Sequence, residues 1–248
     1  MTATATRRRF GSRALVLGAL CIGVVTGSAF ASGLAASLSF ASGGLTPYRT
    51  CTLTATPTTT AVVIDTEVRQ ANPTTNYGTL TSFLVTSSGT ANRRAYLRFD
   101  LTACVPAIPS TATIRLADLR LFTTVLPAEC RTHDIFRVTA TWTETGITWN
   151  SQPFGTSLNN PAQGSRTDAY DIGTPVGCAN RTANAYIVGA TVTADVAAFV
   201  AGTATNHGWM IRDDVEGSAT ARSATFSSKQ LGNILQTPQL VITYVHVP

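Results

Sequence analysis

The sequence predicts an all-β chain: a jelly-roll-like β-sandwich with one short helix, preceded by an N-terminal signal peptide. Three observations carry this prediction. Thr supplies 42 of the 248 residues, and its branched Cβ suits a pleated strand better than a helix. Short apolar-polar alternations recur along the chain between clusters of Pro, Gly, Asn and Ser, the pattern of strands joined by turns. A single segment has helical spacing. Hydrophobic residues make up 44% and charged residues 12%. That balance excludes a disordered chain, which is poorly apolar and highly charged, and a coiled coil, which would need far more Glu, Lys and Leu. One long apolar stretch is too few for a multi-span membrane protein.

In chain order, residues 61–68 (AVVIDTEV) form the first strong strand, followed by a turn at 72–78 (NPTTNYG). Residues 81–86 (TSFLVT) make a short strand. Residues 92–101 (NRRAYLRFDL) alternate, with Ala95, Leu97 and Phe99 on an inner face and Arg94, Tyr96, Arg98 and Asp100 on an outer one. This is the pattern of a half-buried strand. Pro106 and Pro109 then impose a loop. Residues 111–125 form one long strand or two, with a phase change that places a bulge near Ala117-Asp118. Residues 134–142 alternate again, with Phe136, Val138, Ala140 and Trp142 on one face, and residues 147–150 (ITWN) read as a short strand. Residues 152–177 read mostly as loop and 185–190 as a strand. The helix falls at 193–202, with Thr193 as its cap, Val196, Phe199 and Val200 on one face, and Gly202 at its stop. Residues 208–213, 223–227 and 239–245 are late strands, the last apolar on both faces and therefore central.

Arg7, Arg8, Arg9 and Arg13 precede an uncharged apolar run that ends in Ala29-Phe30-Ala31, the form of an export signal with its cleavage site. The expected organisation is a signal at 1–31, a short arm at 32–50 and a domain at 51–248. An uncleaved anchor is the competing reading. Removing the signal takes the formal charge from +5 to +1 and leaves Cys51, Cys104, Cys130 and Cys178. Net basicity then no longer argues for nucleic acid. Four cysteines in an exported chain read as two disulfides with three possible pairings. Cys51–Cys104 and Cys130–Cys178 are favoured, because each pair brackets predicted strands or a hairpin tip.

The ordered set Asp65-Thr66-x-Val68, Asn76-Tyr77-Gly78, RRAYLRFDL, Trp142-Thr143-Glu144, Ile147-Thr148-Trp149-Asn150, Val192-Thr193-x-Asp195-Val196, Asn206-x-Gly208-Trp209 and Phe226-Ser227-Ser228 resembles the DNRLRE domain. That bacterial extracellular module is grouped with carbohydrate-binding module family 96. The resemblance runs from about residue 62 to residue 244, although the hexapeptide that names the domain is absent. It implies a jelly-roll sandwich and binding of an extracellular polysaccharide, uronate-containing for some members.

On the residues themselves, Arg94, Arg98 and Tyr96 form the leading ligand candidate. Guanidinium forks match carboxylates and aromatic rings stack on sugar faces. Cross-strand ion pairing is the competing reading for the arginines, and ordinary sheets favour it. Asn76 and Tyr77 lie in a loop that could reach a ligand, or could simply make a turn. Trp149 is a further candidate, although sharing a face with Ile147 favours the core. Asp213, Asp214 and Glu216 form an acidic cluster without EF-hand spacing, and a solvated loop is the favoured reading. His133, His207 and His246 fit no hydrolase or metalloprotease motif. The expectation is therefore a secreted, monomeric, non-catalytic module without cofactor or metal, lying outside the cell or at its surface and holding a polysaccharide. A structural or adhesive surface protein and a polysaccharide lyase remain the two alternatives.

Overall fold

The computed structural model describes residues 47–56 and 58–246. The expected signal and most of the expected arm lie outside these residues. Among the described residues there are twelve strands: β1 (Arg49–Thr54), β2 (Val63–Arg69), β3 (Ser82–Ser87), β4 (Arg93–Phe99), β5 (Thr113–Arg120), β6 (Phe122–Val125), β7 (Arg131–Arg137), β8 (Asp168–Ile172), β9 (Ala185–Tyr186), β10 (Trp209–Asp213), β11 (Arg222–Ser227) and β12 (Gln239–Val245). The one α-helix among these residues, α1, spans Thr193–Val200. Among the described residues, no helix is long and apolar enough to cross a membrane.

Two antiparallel sheets form the all-β sandwich that the sequence predicts, with unequal shares of the strands. The smaller has the order β1-β12-β5. The larger has nine strands, running β8-β7-β10-β4-β3-β11-β6-β9, with β2 also paired to β4. β12 lies between two partners, as its two apolar faces require. Leu53, Leu240, Ile242 and Leu119 of the smaller sheet and Val63, Ala95, Leu97, Phe99 and Ile211 of the larger belong to one buried cluster, which fills the space between the sheets. Val192, Val196 and Phe199 of the helix segment join the same cluster.

The 111–125 segment divides at Leu121, and its phase change has a physical source. Tyr244 pairs with Ile114 and Thr243 with Leu116, so Arg115 has no partner of its own. The bulge therefore falls slightly before the predicted site. It turns Ala117 and Leu119 inward and leaves Leu116 exposed.

Other elements differ from their sequence reading. β1 and β8 are additional strands, each completing the edge of a sheet. Residues 147–150 form turns rather than a strand, and the 185–190 strand shortens to two residues. Helix α1 is capped differently from expectation. Thr193 lies inside it, and its hydroxyl accepts the backbone N–H of Ala117 at 3.0 Å, which docks the helix on β5. Gly202 ends the helix at φ +70°, a conformation that glycine adopts without strain.

The sulfurs of Cys51 and Cys104, and of Cys130 and Cys178, are bonded. The first bond joins β1 of the smaller sheet to the turn after β4 of the larger. The second ties the β6–β7 connection to the loop after β8. With sequence separations of 53 and 48 residues, each removes about 4 kcal/mol of unfolded-chain entropy in the loop-closure account.

Candidate functional site

The outer face of β4 is the region that the sequence singles out, and most of it is covered. Residues 142–161 leave β7 and fold back across the larger sheet. Val138, Trp142, Ile147 and Trp149 meet Val68, Tyr96, Phe136 and Met210 in a second apolar cluster on this face, with Phe154 and Leu158 at its edge. Tyr96 and Trp142 meet edge-on, their ring centroids 5.5 Å apart. The alternation in β4 is therefore real, but both of its faces are interior over most of the strand.

Arg94, Tyr96 and Trp149 are brought together here and have no surface to offer a ligand. Arg94 is 0% exposed. Its Nε and Nη2 donate to the two carboxylate oxygens of Glu216 at 2.7 and 2.8 Å. Its remaining donors reach the Gln152 side chain and the carbonyls of Gly155 and Ser157 at 2.7–3.1 Å. All five guanidinium N–H groups are thus used. The Tyr96 hydroxyl donates to the same Gln152 oxygen at 3.0 Å, and Trp149 lies under the Arg94 guanidinium at 4.8 Å. The expected binding roles of these three residues are corrected to a single interior one. The polar network fixes the covering segment onto the sheet, because a buried cation must be paired.

The cover ends before the strand does. Arg98, four residues along the same face, is only half-buried. It forms no ion pair among the described residues and lies 5.7 Å from the ring centre of Trp142. Trp142 is itself held by its indole N–H, which donates to the His207 carbonyl at 2.8 Å. Arg98, Asp100, Ile64, Leu101 and Phe199 line an open groove of about 450 Å³ between the β2–β4 edge and α1. Its size falls within the range of small-ligand clefts. It combines apolar walls with a free cation and the exposed carboxylate of Asp100.

Residues 56–172 match the family model of carbohydrate-binding module family 96. Over that span the chain is similar to a carbohydrate-binding module, in agreement with the resemblance read from its motifs. A search of curated proteins finds no match. The family span runs from before β2 to the end of β8, so it holds β4, its cover and the Arg98 wall of the groove. The late motifs fall outside the span, yet the fold needs the strands that carry them. β10 pairs with both β4 and β7, and β12 is the middle strand of the smaller sheet.

The geometry explains the two Asn-x-Gly motifs of the family resemblance in the same terms. In each, the Asn side-chain oxygen accepts the N–H of the glycine two residues on, at 3.0 Å in Asn76-Tyr77-Gly78 and 3.1 Å in Asn206-His207-Gly208. The Asn amide then reaches a distant backbone. Asn76 donates to the carbonyls of Glu144 and Ile147, and Asn206 donates to that of Phe99. Each glycine lies flush against the chain it serves. A Cβ at Gly78 would stand 2.3 Å from the Glu144 carbonyl oxygen, and one at Gly208 would stand 1.9 Å from that of Leu97. Asn76 thus positions the covering segment and is not free for a ligand. Tyr77 is half-buried, with the Arg69 guanidinium 3.7 Å above its ring.

Several other ionisable groups are committed to the fold. Glu216 serves Arg94, and Asp213 and Asp214 both bind Arg131. Among the described residues, no group of three or more His, Cys, Asp or Glu side chains could hold a metal. Asp65 is buried, accepts from the Ser228 hydroxyl and the Lys229 N–H, and is pushed up to about 7 by burial. Lys229, the single lysine of the chain, pairs with Glu144 at 2.9 Å. His133 Nδ1 and the Tyr170 hydroxyl are 3.1 Å apart. Burial drives the His133 pKa down to about 4 and keeps the ring neutral. That His–Tyr pair lies in the interior, where no saccharide reaches it.

Proposed function

We propose that the chain is a secreted, monomeric, non-catalytic carbohydrate-binding module that takes an extracellular polysaccharide, uronate-containing, in the groove beside Arg98. The observation that carries this reading is the contrast within one strand. Of the arginines on the outer face of β4, Arg94 has every donor occupied, whereas Arg98 is only half-buried and has no carboxylate partner among the described residues. A guanidinium held beside an aromatic ring can give a planar pair of N–H donors to a sugar carboxylate. Phe199, Ile64 and Leu101 supply an apolar wall for the sugar's C–H face. The similarity of residues 56–172 to a carbohydrate-binding module supports the ligand class.

The test is native gel electrophoresis of the purified chain through gels containing acidic or neutral polysaccharides. Retardation in a uronan gel that disappears in Arg98→Ala is expected. Unchanged mobility in every acidic and neutral gel would overturn the reading and favour a structural role at the cell surface. An absence of unsaturated product, followed by ultraviolet absorbance on the same uronans, is expected of a non-catalytic module.

A further inference from the structure

Away from the Arg98 groove, a second concave region lies where the chain from Asn184 to Val192 runs antiparallel to Ala117–Thr123. Asn184 donates to the Thr123 carbonyl, Ile187 to that of Leu121, and Val192 to that of Ala117, while Leu119 donates to the Ala190 carbonyl. Between the bond at Ile187 and the bond at Ala190, this segment advances three residues while its partner advances two. The extra residue makes a bulge at Val188-Gly189 opposite Arg120, with Gly189 at φ +85°. The bulge is held by side-chain hydrogen bonds. The Asn180 side chain accepts the Val188 N–H at 2.7 Å and donates to the Val188 carbonyl at 3.1 Å, and Cys130–Cys178 anchors the loop that carries Asn180.

Two cavities meet at this bulge. One, of about 300 Å³, has Arg120 in its wall. The other, of about 160 Å³, is lined by Arg181 and Thr123. Both share Tyr186, Ile187 and Val188, so they adjoin across the same short segment. Arg120 contacts Asp118 only loosely, at 3.8 Å, and Arg181 is exposed and makes no ion pair among the described residues. Thr123 is 1% exposed, and its hydroxyl has no hydrogen-bond partner among the described residues.

We infer that these paired cavities form a second binding groove for an acidic saccharide. Arg120 and Arg181 bind its anionic groups at the two ends, and Tyr186, Ile187 and Val188 form the floor that the two cavities share. The inference rests on the carbohydrate-binding reading for its ligand class but uses none of the Arg98 groove. Most of its lining, residues 179–190, lies beyond the span that matches the family.

The experiment is isothermal titration with two probes, a tetrasaccharide of uronic acids and a sulfated tetrasaccharide of neutral sugars, combined with amide chemical-shift mapping. The probes separate carboxylate from sulfate recognition. Wild type is expected to show two sites for at least one probe. Arg98→Ala should keep one site, with shifts confined to Arg181, Ile187 and Val188. Adding Arg181→Ala should weaken that remaining site by on the order of tenfold or more, the effect of losing a charge-assisted hydrogen bond. Arg181 is exposed, so loss of folding does not confuse the result. If Arg98→Ala abolishes all binding, or if shifts appear only around Arg98, the second groove is overturned while the first stands. If shifts appear only at Arg181–Val188, the second groove stands and the proposed role of Arg98 falls. If neither probe binds wild type, the second groove is overturned, and the neutral-polysaccharide gels then decide the first.

Discussion

Arg94 and Arg98 leave β4 on the same face, four residues apart, and end in opposite environments. Arg94 lies under the 142–161 segment with its five donors occupied by Glu216, Gln152 and two backbone carbonyls. Arg98 stands where that cover stops, beside Trp142 and facing the groove. The residue type and the strand phase are the same. What differs is whether another piece of chain reaches over the position. A polar residue on an alternating strand therefore marks a face, and whether that face meets solvent depends on what packs against it. The same division separates Asp65 and His133, sealed inside, from Asp100, which is exposed.

The sharpest way to break this comparison is Arg94→Ala. It leaves Glu216 buried without its counter-charge, and a loss of about 3–5 kcal/mol in urea unfolding is expected. An effect below about 1 kcal/mol would show that the cover is not fixed by this pair.

Sealed titratable groups should also reveal themselves through pH, with opposite signs. Asp65 is pushed up from 3.8 to about 7, so the folded chain holds a proton that the unfolded chain releases. Its contribution is fully present below the unfolded value and is lost as pH rises from about 4 through about 7, roughly 4 kcal/mol in total. His133 is pushed down from 6.5 to about 4, so the unfolded chain binds the extra proton. Its contribution is present above the unfolded value and is lost as pH falls toward about 4, roughly 3 kcal/mol. The two slopes oppose each other between about pH 4 and 6.5. His133→Gln should therefore expose a stability that falls with rising pH, and Asp65→Asn one that rises. Denaturant midpoints at several pH values check both, and parallel profiles in the two variants would show that neither group is sealed.

A smaller effect is expected from Asn206→Ala, which removes the bond to the Phe99 carbonyl and the turn that positions Gly208. Thermal unfolding should show a loss of about 1–3 kcal/mol. Smallest in stability is Arg98→Ala, expected within about 0.5 kcal/mol of wild type because nothing buried depends on it. Its effect should appear in polysaccharide binding instead. A large loss of stability in Arg98→Ala would erase the distinction between the two ends of the strand.

Much of the fold was legible because its signals are local. The alternation of 92–101, the doubly apolar β12, the helix with Gly202 at its stop and the favoured cysteine pairing all agree with the structure. β1 and β8 escaped because edge strands carry little apolar pattern. RTCTLT buries one side chain fully and DAYDI two. Residues 147–150 looked like a strand because Ile147 and Trp149 alternate, yet both point inward from a turn-rich cover. The candidate site was the least legible part. Arg94 and Tyr96 were read as a surface and lie buried beside Trp149, for which the core was the favoured reading. The turn-forming reading of Asn76 applies to Asn206 as well, since Asn followed two residues later by Gly marks a side chain able to fix a turn. Their distant backbone partners could not have been read.

By itself, the sequence determined the phase of strands such as β4, the two-sided apolar character of β12 and where the chain turns. These follow from side-chain chemistry repeated at short range. Only the tertiary structure decided that the outer face of β4 has a second core laid over most of it and that Arg98 escapes that cover. It also decided that Arg120 and Arg181, sixty-one positions apart in the chain, line adjoining cavities. The physical reason is that exposure belongs to the assembled chain. A guanidinium is a ligand site or a buried staple according to whether a distant carboxylate has been folded into its reach.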